Sequence, residues 1–523
     1  MLRLVLLTLC LRASANIHLA GVPPHVRDTS PAAPLTPRAA PNSSTARLCL
    51  SLEDAHPGKL AYPGQAVYDA AQESYYSANQ RSVQPACLFT PTSVDDVSSF
   101  MRLLQECSRD GSSPVLFAVR SGGHALFTGA ANIDGGVTVD MRQLNSVTLS
   151  SDGKTATIGA GAAFTDVYPQ LDEHNVTVVG GRVTGIAAGG YVSGGGASLF
   201  GRSHGWSCDN VYAYHVVLAN GEQRRVSSSV DRDLWLALKG GSNNFAIITA
   251  FELDAFAQGE LWGGSVTYGL DVSNTSLSAS STLRGLADAY VDYMSPAGYD
   301  HNAEAQIILG FVGGAFVAQS SVFNVEPVAY PPSLAPFTDI DTIVEQNLFS
   351  GNVSHMVNTF SQTLPAEVAL TYALVYSFSA TDAAGYLDLF SIFYDGFEPI
   401  AATAGLQAQF LIQPQPVTNG TNAMRLAPDQ RDVVMASVTA VYSNSSDRAL
   451  VESTVDGVFQ RQKASLSSQG KLLPFIYLNY ADVSQDVFGS WGTGAREFLQ
   501  NVSSKYDPLG VFQKQLVGGF KLF

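Results

Sequence analysis

Between residues 115 and 253 three glycine-led loops each stand at the end of a short apolar run, and this repetition restricts the fold more than any other feature. The first, Arg120-Ser121-Gly122-Gly123-His124, follows the strand-like run Val115 to Val119. The second, Gly180 to Gly205, follows Val176-Thr177-Val178-Val179. The third, Gly240-Gly241-Ser242-Asn243-Asn244-Phe245, lies between a helical pattern, Asp231 to Lys239, and a strand, Ala246 to Leu253. A glycine pair after a strand lets the backbone turn with φ > 0 and present several N–H groups, a geometry that holds phosphate. Arg120 adds a permanent positive charge, and His124 sets an imidazole at the edge of the cradle. An ordinary glycine turn with an exposed histidine accounts for these five residues equally well. Three such loops in one α/β region fit one extended ligand better than three coincidences. The chain has no G-x-G-x-x-G after a first strand and no Walker pattern.

A chain of 523 residues exceeds what one core serves, so two or three domains are expected. The net charge of −16, 29 basic against 45 acidic residues without a basic cluster, excludes nucleic acid as a partner. Arg3, the apolar run Leu4 to Leu11 and Ala13-Ser14-Ala15 read as a secretory signal over 1–15. No later stretch reaches about 18 uninterrupted apolar residues, so no membrane anchor is expected. A Pro/Ala-rich leader is expected over 16–47. Glycosylation sequons at Asn42, Asn175, Asn274, Asn352, Asn419, Asn444 and Asn501 fit a secreted protein. After the signal leaves with Cys10, four cysteines permit three pairings; Cys49 with Cys87 is favoured because both flank the entry to the first domain. Their spacing matches no zinc pattern, and no metal site is expected.

Ser93 is an N-cap for a helix whose apolar face is Val94, Val97, Phe100, Met101 and Leu104. Short strands follow at Gly136 to Asp140, Ser146 to Leu149 and Thr155 to Ile158, then a helix from Phe164. From about Phe256 the texture changes. Helical patterns at Thr282 to Tyr293 and Asp382 to Tyr394 interleave with strand patterns at Ala305 to Phe311, Leu370 to Phe378, Gln407 to Ile412 and Met435 to Tyr442. They predict an antiparallel sheet covered on one face by helices, offering its other face to a substrate. In Tyr477-Leu478-Asn479-Tyr480 a period of two puts Tyr477 and Asn479 on one face, Leu478 and Tyr480 on the other. Packing with satisfied hydroxyls explains the two tyrosines as readily as chemistry does.

In combination and order, several motifs resemble the FAD-linked oxidoreductases of the vanillyl-alcohol-oxidase superfamily, in the fungal berberine-bridge-enzyme-like branch. They are residues 120 to 124, the glycine run Gly189 to Gly196, Gly205 with Asp209-Asn210-Val211, Asn244 to Thr249, Tyr477 to Tyr480, Tyr506-Asp507-Pro508 and Phe512-Gln513. The resemblance spans roughly residues 45 to 523. It implies an α+β fold with a two-part PCMH-type FAD-binding domain over 48–256. A substrate domain over 257–470 and a C-terminal segment over 471–523 returning to the FAD domain complete it. It implies that Arg120, Ser121, Gly122 and Gly123 cradle the FAD pyrophosphate and that His124 bonds the flavin 8α-methyl. Gly185, Gly189, Gly190, Ser193 and Gly194 then run along the cofactor, with Ile248 near the adenine end and Asn479 against it. Relatives with a second flavin link carry a Cys where this chain has Val183, so a single covalent tie is expected. Ile186 falls where some relatives gate oxygen.

The resemblance implies a secreted FAD-dependent oxidase that takes a hydride from a small secondary metabolite and passes both electrons to oxygen, giving hydrogen peroxide. The substrate is expected to carry an alcohol, an amine or an activated carbon. An oligosaccharide oxidase, or a flavin-holding cyclase or ligand-binding protein without net redox turnover, are the alternatives. The strand Gln407 to Gln413 has no carboxylate, which leaves Tyr477 as the expected base and Tyr480 as the second choice. Gln409 and Gln413 are expected to orient substrate.

Overall fold

Ser93 begins the first long helix with both halves of a capping box: its hydroxyl accepts from the Asp96 N–H, and the Asp96 carboxylate accepts from the Ser93 N–H. The helix, Val94–Ser108, buries Val97, Phe100, Met101 and Leu104 against a small sheet. That sheet has four strands: β1 (Leu60–Ala61), β2 (Cys87–Phe89), β3 (Phe117–Arg120) and β4 (Val137–Asp140), in the order β1-β2-β4-β3. β2, β4 and β3 run parallel, as the β-α-β order of the sequence predicts. The computed structural model describes residues 43–109, 114–270, 277–361 and 368–523. The signal segment, most of the leader, Asn42 and Asn274 lie outside them.

The second sheet collects β5 (Val147–Leu149), β6 (Thr155–Gly159), β7 (Val176–Val178), β8 (Val211–Val217), β9 (Gln223–Ser227) and β10 (Ile247–Ala257). Its order is β5-β6-β10-β8-β9, with β7 also on β10, and the pairs are antiparallel. β10 is thus the spine on which the second and third glycine loops converge.

The third sheet is antiparallel and eight-stranded: β11 (Leu261–Tyr268), β12 (Ala303–Val312), β13 (Ala315–Asn324), β14 (Ile343–Gly351), β15 (Leu370–Ser379), β16 (Gln407–Pro414), β17 (Val433–Tyr442) and β18 (Leu472–Leu473). The order is β14-β11-β13-β12-β16-β17-β15-β18. Helices Ser281–Met294, Ala383–Phe397 and Arg448–Ser468 cover one face, where Ala305, Ile307, Leu309, Phe410 and Ile412 meet Leu286, Phe390, Phe393 and Val455. Because side chains alternate along a strand, Glu304 and Gln306 on β12 and Gln413 on β16 face the other way.

Cys49 and Cys87 form a disulfide, as expected, and tie the first helix (Ser43–Ala55) to β2. That helix starts inside the stretch read as leader, ahead of Leu48. Cys107 and Cys208 are buried and unpaired. A cross-link over a separation of 38 residues removes about 4 kcal/mol of chain entropy from the unfolded state. Replacing both by Ser is therefore expected to lower the melting temperature by several degrees, read by calorimetry; an unchanged melt would show that the bond is not formed. No helix among the described residues is long and apolar enough to cross a membrane. The sequon side chains Asn175, Asn352, Asn419, Asn444 and Asn501 are exposed.

Candidate active site

The first and second glycine loops close on each other to make one wall. A Cβ on Gly122 would lie 2.6 Å from the Gly185 carbonyl and 3.0 Å from the Ala187 nitrogen, both backbone atoms that cannot swing away. The Ser121 hydroxyl donates to the Ala160 carbonyl at 2.7 Å. With residues 121 to 124 so held, the N–H groups of Gly122, Gly123 and His124 donate to no other group among the described residues. Unspent donors at a glycine turn are the donor set a phosphate takes. Gly190, open on its side-chain face, continues the wall. These loops border a cavity of about 320 Å³ lined by Ser121, Gly122, Gly123, His124, Val183, Ile186, Gly189, Gly190, Ser193 and Ile248. Tyr477, Leu478, Asn479 and Tyr480 from the tail, and Thr371 and Ala373 from β15, line the same cavity.

His124 is held from two sides. Its ring stacks on Tyr76 with centroids 4.0 Å apart and planes 16° apart. It passes so close to Gly185, whose φ is +78°, that a Cβ there would stand 3.0 Å from Nε2. Burial lowers the imidazole to about 4, against a smaller opposing effect of the Thr184 backbone. At neutral pH the ring is therefore uncharged, with a lone pair available, which is the form a nucleophile needs. Gly122→Ala is expected to push the two loops apart and cut the flavin-to-protein absorbance ratio by more than half; an undiminished ratio would contradict the packing.

Arg120 does not line the cavity, contrary to the sequence reading. It is fully buried beneath the loop, its guanidinium 3.7 Å over the Tyr75 ring. It donates to the Ala71 carbonyl (2.6 Å) and to the Ser74 carbonyl and hydroxyl (2.9 Å each). It supports the turn from below.

The tail is a turn and not a strand. Tyr480 N–H donates to the Tyr477 carbonyl at 3.2 Å, and residues Leu478–Tyr480 form a 3₁₀ turn. Residues i and i+3 fall on the same side of such a turn, so the Tyr477 and Tyr480 rings meet with centroids 4.9 Å apart instead of facing opposite ways. The Tyr477 hydroxyl accepts from the Ala197 N–H (3.0 Å) and from Asn479 Nδ2 (3.1 Å). Burial pushes its phenol well above the ordinary value, the reverse of what the sequence reading of Tyr477 as base requires. Asn479 also donates to the Tyr191 carbonyl at 2.9 Å, which sets it as the pin between tail and glycine run. Gly194 packs on its amide from below, behind the wall.

Tyr480 has a different neighbour. Its oxygen accepts from Arg182 Nη2 at 3.1 Å and lies 3.4 Å from Gln413 Oε1. Arg182 is 8 % exposed and lines the cavity. Its guanidinium donates to Gln413 Oε1 (2.5 Å) and, with the Gln306 amide turned to face it, to Gln306 from Nη1 (2.5 Å) and Nη2 (2.9 Å). Glu304 Oε1 stands 3.7 Å from Nη1. Gln413 thus sits behind the cavity wall as a holder of Arg182, and Gln409, outside the wall, pairs within the sheet with Gly310 and Thr439. Sequence reasoning missed both Arg182 and Glu304. The available signal was one charge in a segment of small residues, Gly180-Gly181-Arg182-Val183, and one acid opening an apolar strand, Ala303-Glu304-Ala305. No group of three or more metal-binding side chains occurs among the described residues.

Residues 85–227 match the family model described as an FAD binding domain. Over 479 residues the chain is 34% identical to an FAD-dependent monooxygenase of Cochliobolus heterostrophus, covering 88% of this chain and 89% of that one. Its fold is similar to that of 6-hydroxy-D-nicotine oxidase from Arthrobacter nicotinovorans, with a TM-score of 0.72 at 20% identity, over 87% of this chain and 96% of that one. It is similar also to glucooligosaccharide oxidase from Acremonium strictum, whose FAD is described as 6-S-cysteinyl, 8α-N1-histidyl, with a TM-score of 0.70 at 19% identity, over 92% of this chain and all of that one.

Proposed function

The chain belongs to the FAD-linked oxidoreductases of the vanillyl-alcohol-oxidase superfamily, in the fungal berberine-bridge-enzyme-like branch, and we propose that it is a secreted oxidase of a small metabolite oxidised at an alcohol, an amine or an activated carbon. The observation that carries this reading is the Tyr480 oxygen 3.1 Å from Arg182 in the wall of the cavity that the His124 loop also lines. FAD held there would supply a two-electron acceptor, and oxygen, taking two electrons and two protons, would leave as hydrogen peroxide.

The residues divide the remaining work. The free N–H groups of Gly122, Gly123 and His124 hold phosphate, and the neutral His124 imidazole is the covalent tie. Val183 stands in the cavity wall where relatives with two links carry Cys, so the tie at His124 is single. Tyr480 acts as the phenolate, which accepts the substrate proton and is left as the neutral phenol, and the guanidinium charge against its oxygen attracts that phenolate before the transfer. Gln413 and Gln306 keep the guanidinium in place. Tyr477 holds the Ala197 N–H and Asn479 and so fixes the turn that aims Tyr480. The apolar run before Ala15, the exposed sequons and the disulfide support secretion.

Anaerobic mixing of holoenzyme with a panel of alcohols, amines, phenols and oligosaccharides tests the reading. Bleaching of the flavin absorbance by a small alcohol, amine or phenol is the expected result; bleaching by oligosaccharides alone would move the assignment to a sugar oxidase, and none at all would sink it. The printed name of the Cochliobolus relative favours a second reading, a monooxygenase. Peroxide released in a one-to-one ratio to oxygen consumed is expected of the oxidase. Labelled oxygen appearing in the product would establish the monooxygenase.

A further inference from the structure

Behind Arg182 lies a carboxyl that the reaction as described leaves unused. Glu304, at the start of β12, is 3 % exposed. Two guanidiniums face it: Arg182 from the loop after β7, 3.7 Å away, and Arg202 from the short helix Gly201–His204. Tyr290 and Tyr293 of the Ser281–Met294 helix are its other titratable neighbours. Arg202 is committed elsewhere, with its guanidinium 4.2 Å over the Tyr293 ring and 4.3 Å over the Tyr299 ring. Arg182 is not so sheltered. Its neutral acceptors, Gln306, Gln413 and Tyr480, fix where it points but leave its charge whole. Glu304 is the one acid paired with it among the described residues.

We propose that Glu304 is a positioning residue for the reaction, a buried counter-charge that sets how much of the Arg182 charge reaches the Tyr480 oxygen and the cavity. The proposal rests on the Tyr480–Arg182 reading above. The geometry gives the reason: one carboxylate between two buried guanidiniums, close to one of them and reaching the cavity only through it. Burial lifts the Glu304 carboxyl to about 8 against the pull of Arg182 and Arg202. The ion pair that the 3.7 Å separation suggests is therefore only partly charged at neutral pH, because desolvation outweighs two attractions that lack a close hydrogen bond. The counter-charge strengthens as pH rises, and the field at the cavity weakens with it.

Equilibration of the holoenzyme with a reference dye reads the flavin midpoint potential without any substrate. Glu304→Gln has the shape of the neutral acid, so its potential is expected to match wild type at about pH 6.5 and to lie above it at about pH 9.5, where the wild-type carboxyl is charged. A purely structural role would give an offset that does not change with pH, and such an offset, or no difference at either pH, overturns the proposal. In an Arg182→Met background the gap at high pH is expected to vanish, because without the guanidinium the carboxyl keeps its proton. An undiminished gap would mean that Glu304 acts on the flavin directly and would also overturn it. Should Glu304→Gln fail to fold, wild type against Arg182→Met carries the test: a steeper fall of potential above about pH 8 is expected in wild type, and equal slopes contradict it. Undiminished flavin reduction in Tyr480→Phe is a separate outcome, which removes the Tyr480 reading whatever the potentials show.

Discussion

His124→Ala is expected to give a protein whose acid-precipitated, washed pellet is colourless, where the wild-type pellet is yellow. The reason is local to the loop. The imidazole is neutral because burial holds it at about 4, and it is clamped between the Tyr76 stack and Gly185, which packs beside Nε2 without a side chain. Removing the ring takes away that imidazole, and Val183 offers no sulfur to replace it. Fold and melting should change little, since the Tyr75–Arg120 support and the Ser121–Ala160 bond lie beneath the loop and are untouched. FAD is then expected to bind reversibly and to leave on denaturation. A yellow His124→Ala pellet would show a second link elsewhere in the chain. The same neutrality fixes a sign with pH: the imidazole stays unprotonated down to about 4, so the apoprotein should keep its capacity for covalent loading across the mildly acid range and lose it only as pH falls through that value.

Tyr480→Phe is expected to slow flavin reduction by roughly 10²–10⁴-fold with little change in substrate affinity, the usual worth of a positioned proton acceptor. Phe keeps the ring against Tyr477 and loses only the oxygen that accepts from Arg182. Arg182→Met should cost a similar factor, and the double variant little more than either single one, because the two groups act as a unit. Stopped-flow reduction under anaerobic conditions reads all three. Tyr477→Phe separates the tyrosines: it leaves the Ala197 N–H without its acceptor and Asn479 Nδ2 with the Tyr191 carbonyl alone, so lower stability is expected, with the rate per folded molecule largely kept. A rate collapse in Tyr477→Phe with Tyr480→Phe unaffected would reverse the assignment.

What the sequence conveyed well was encoded within a few residues. The glycine pair at 122 and 123, the Ser93 N-cap and the alternation along β12, β16 and β17 are all local rules, and the structure follows them. The helix-covered antiparallel sheet was legible for the same reason. Two misreadings share another cause. Four residues with a period of two, Tyr477 to Tyr480, fit a turn as well as a strand, and the choice is made by Tyr191 and Ala197, which lie far away in sequence. A strand end can send its side chain to either face; for Arg120, Tyr75 and Ser74 decide, and they come from the segment after the Ala66–Glu73 helix. The Arg182–Glu304 pair is of the same kind, since it exists only where the glycine run meets the polar face of the third sheet.

The central claim is that this chain carries FAD tied through His124 in the cavity that Tyr480 faces. Proteolysis of the denatured holoenzyme, followed by mass analysis of the flavin-fluorescent peptide, tests it most directly. The account predicts one flavin-bearing peptide, containing residues 120 to 124, with the added mass on His124. Flavin mass on any other residue, or no peptide carrying flavin, would contradict it.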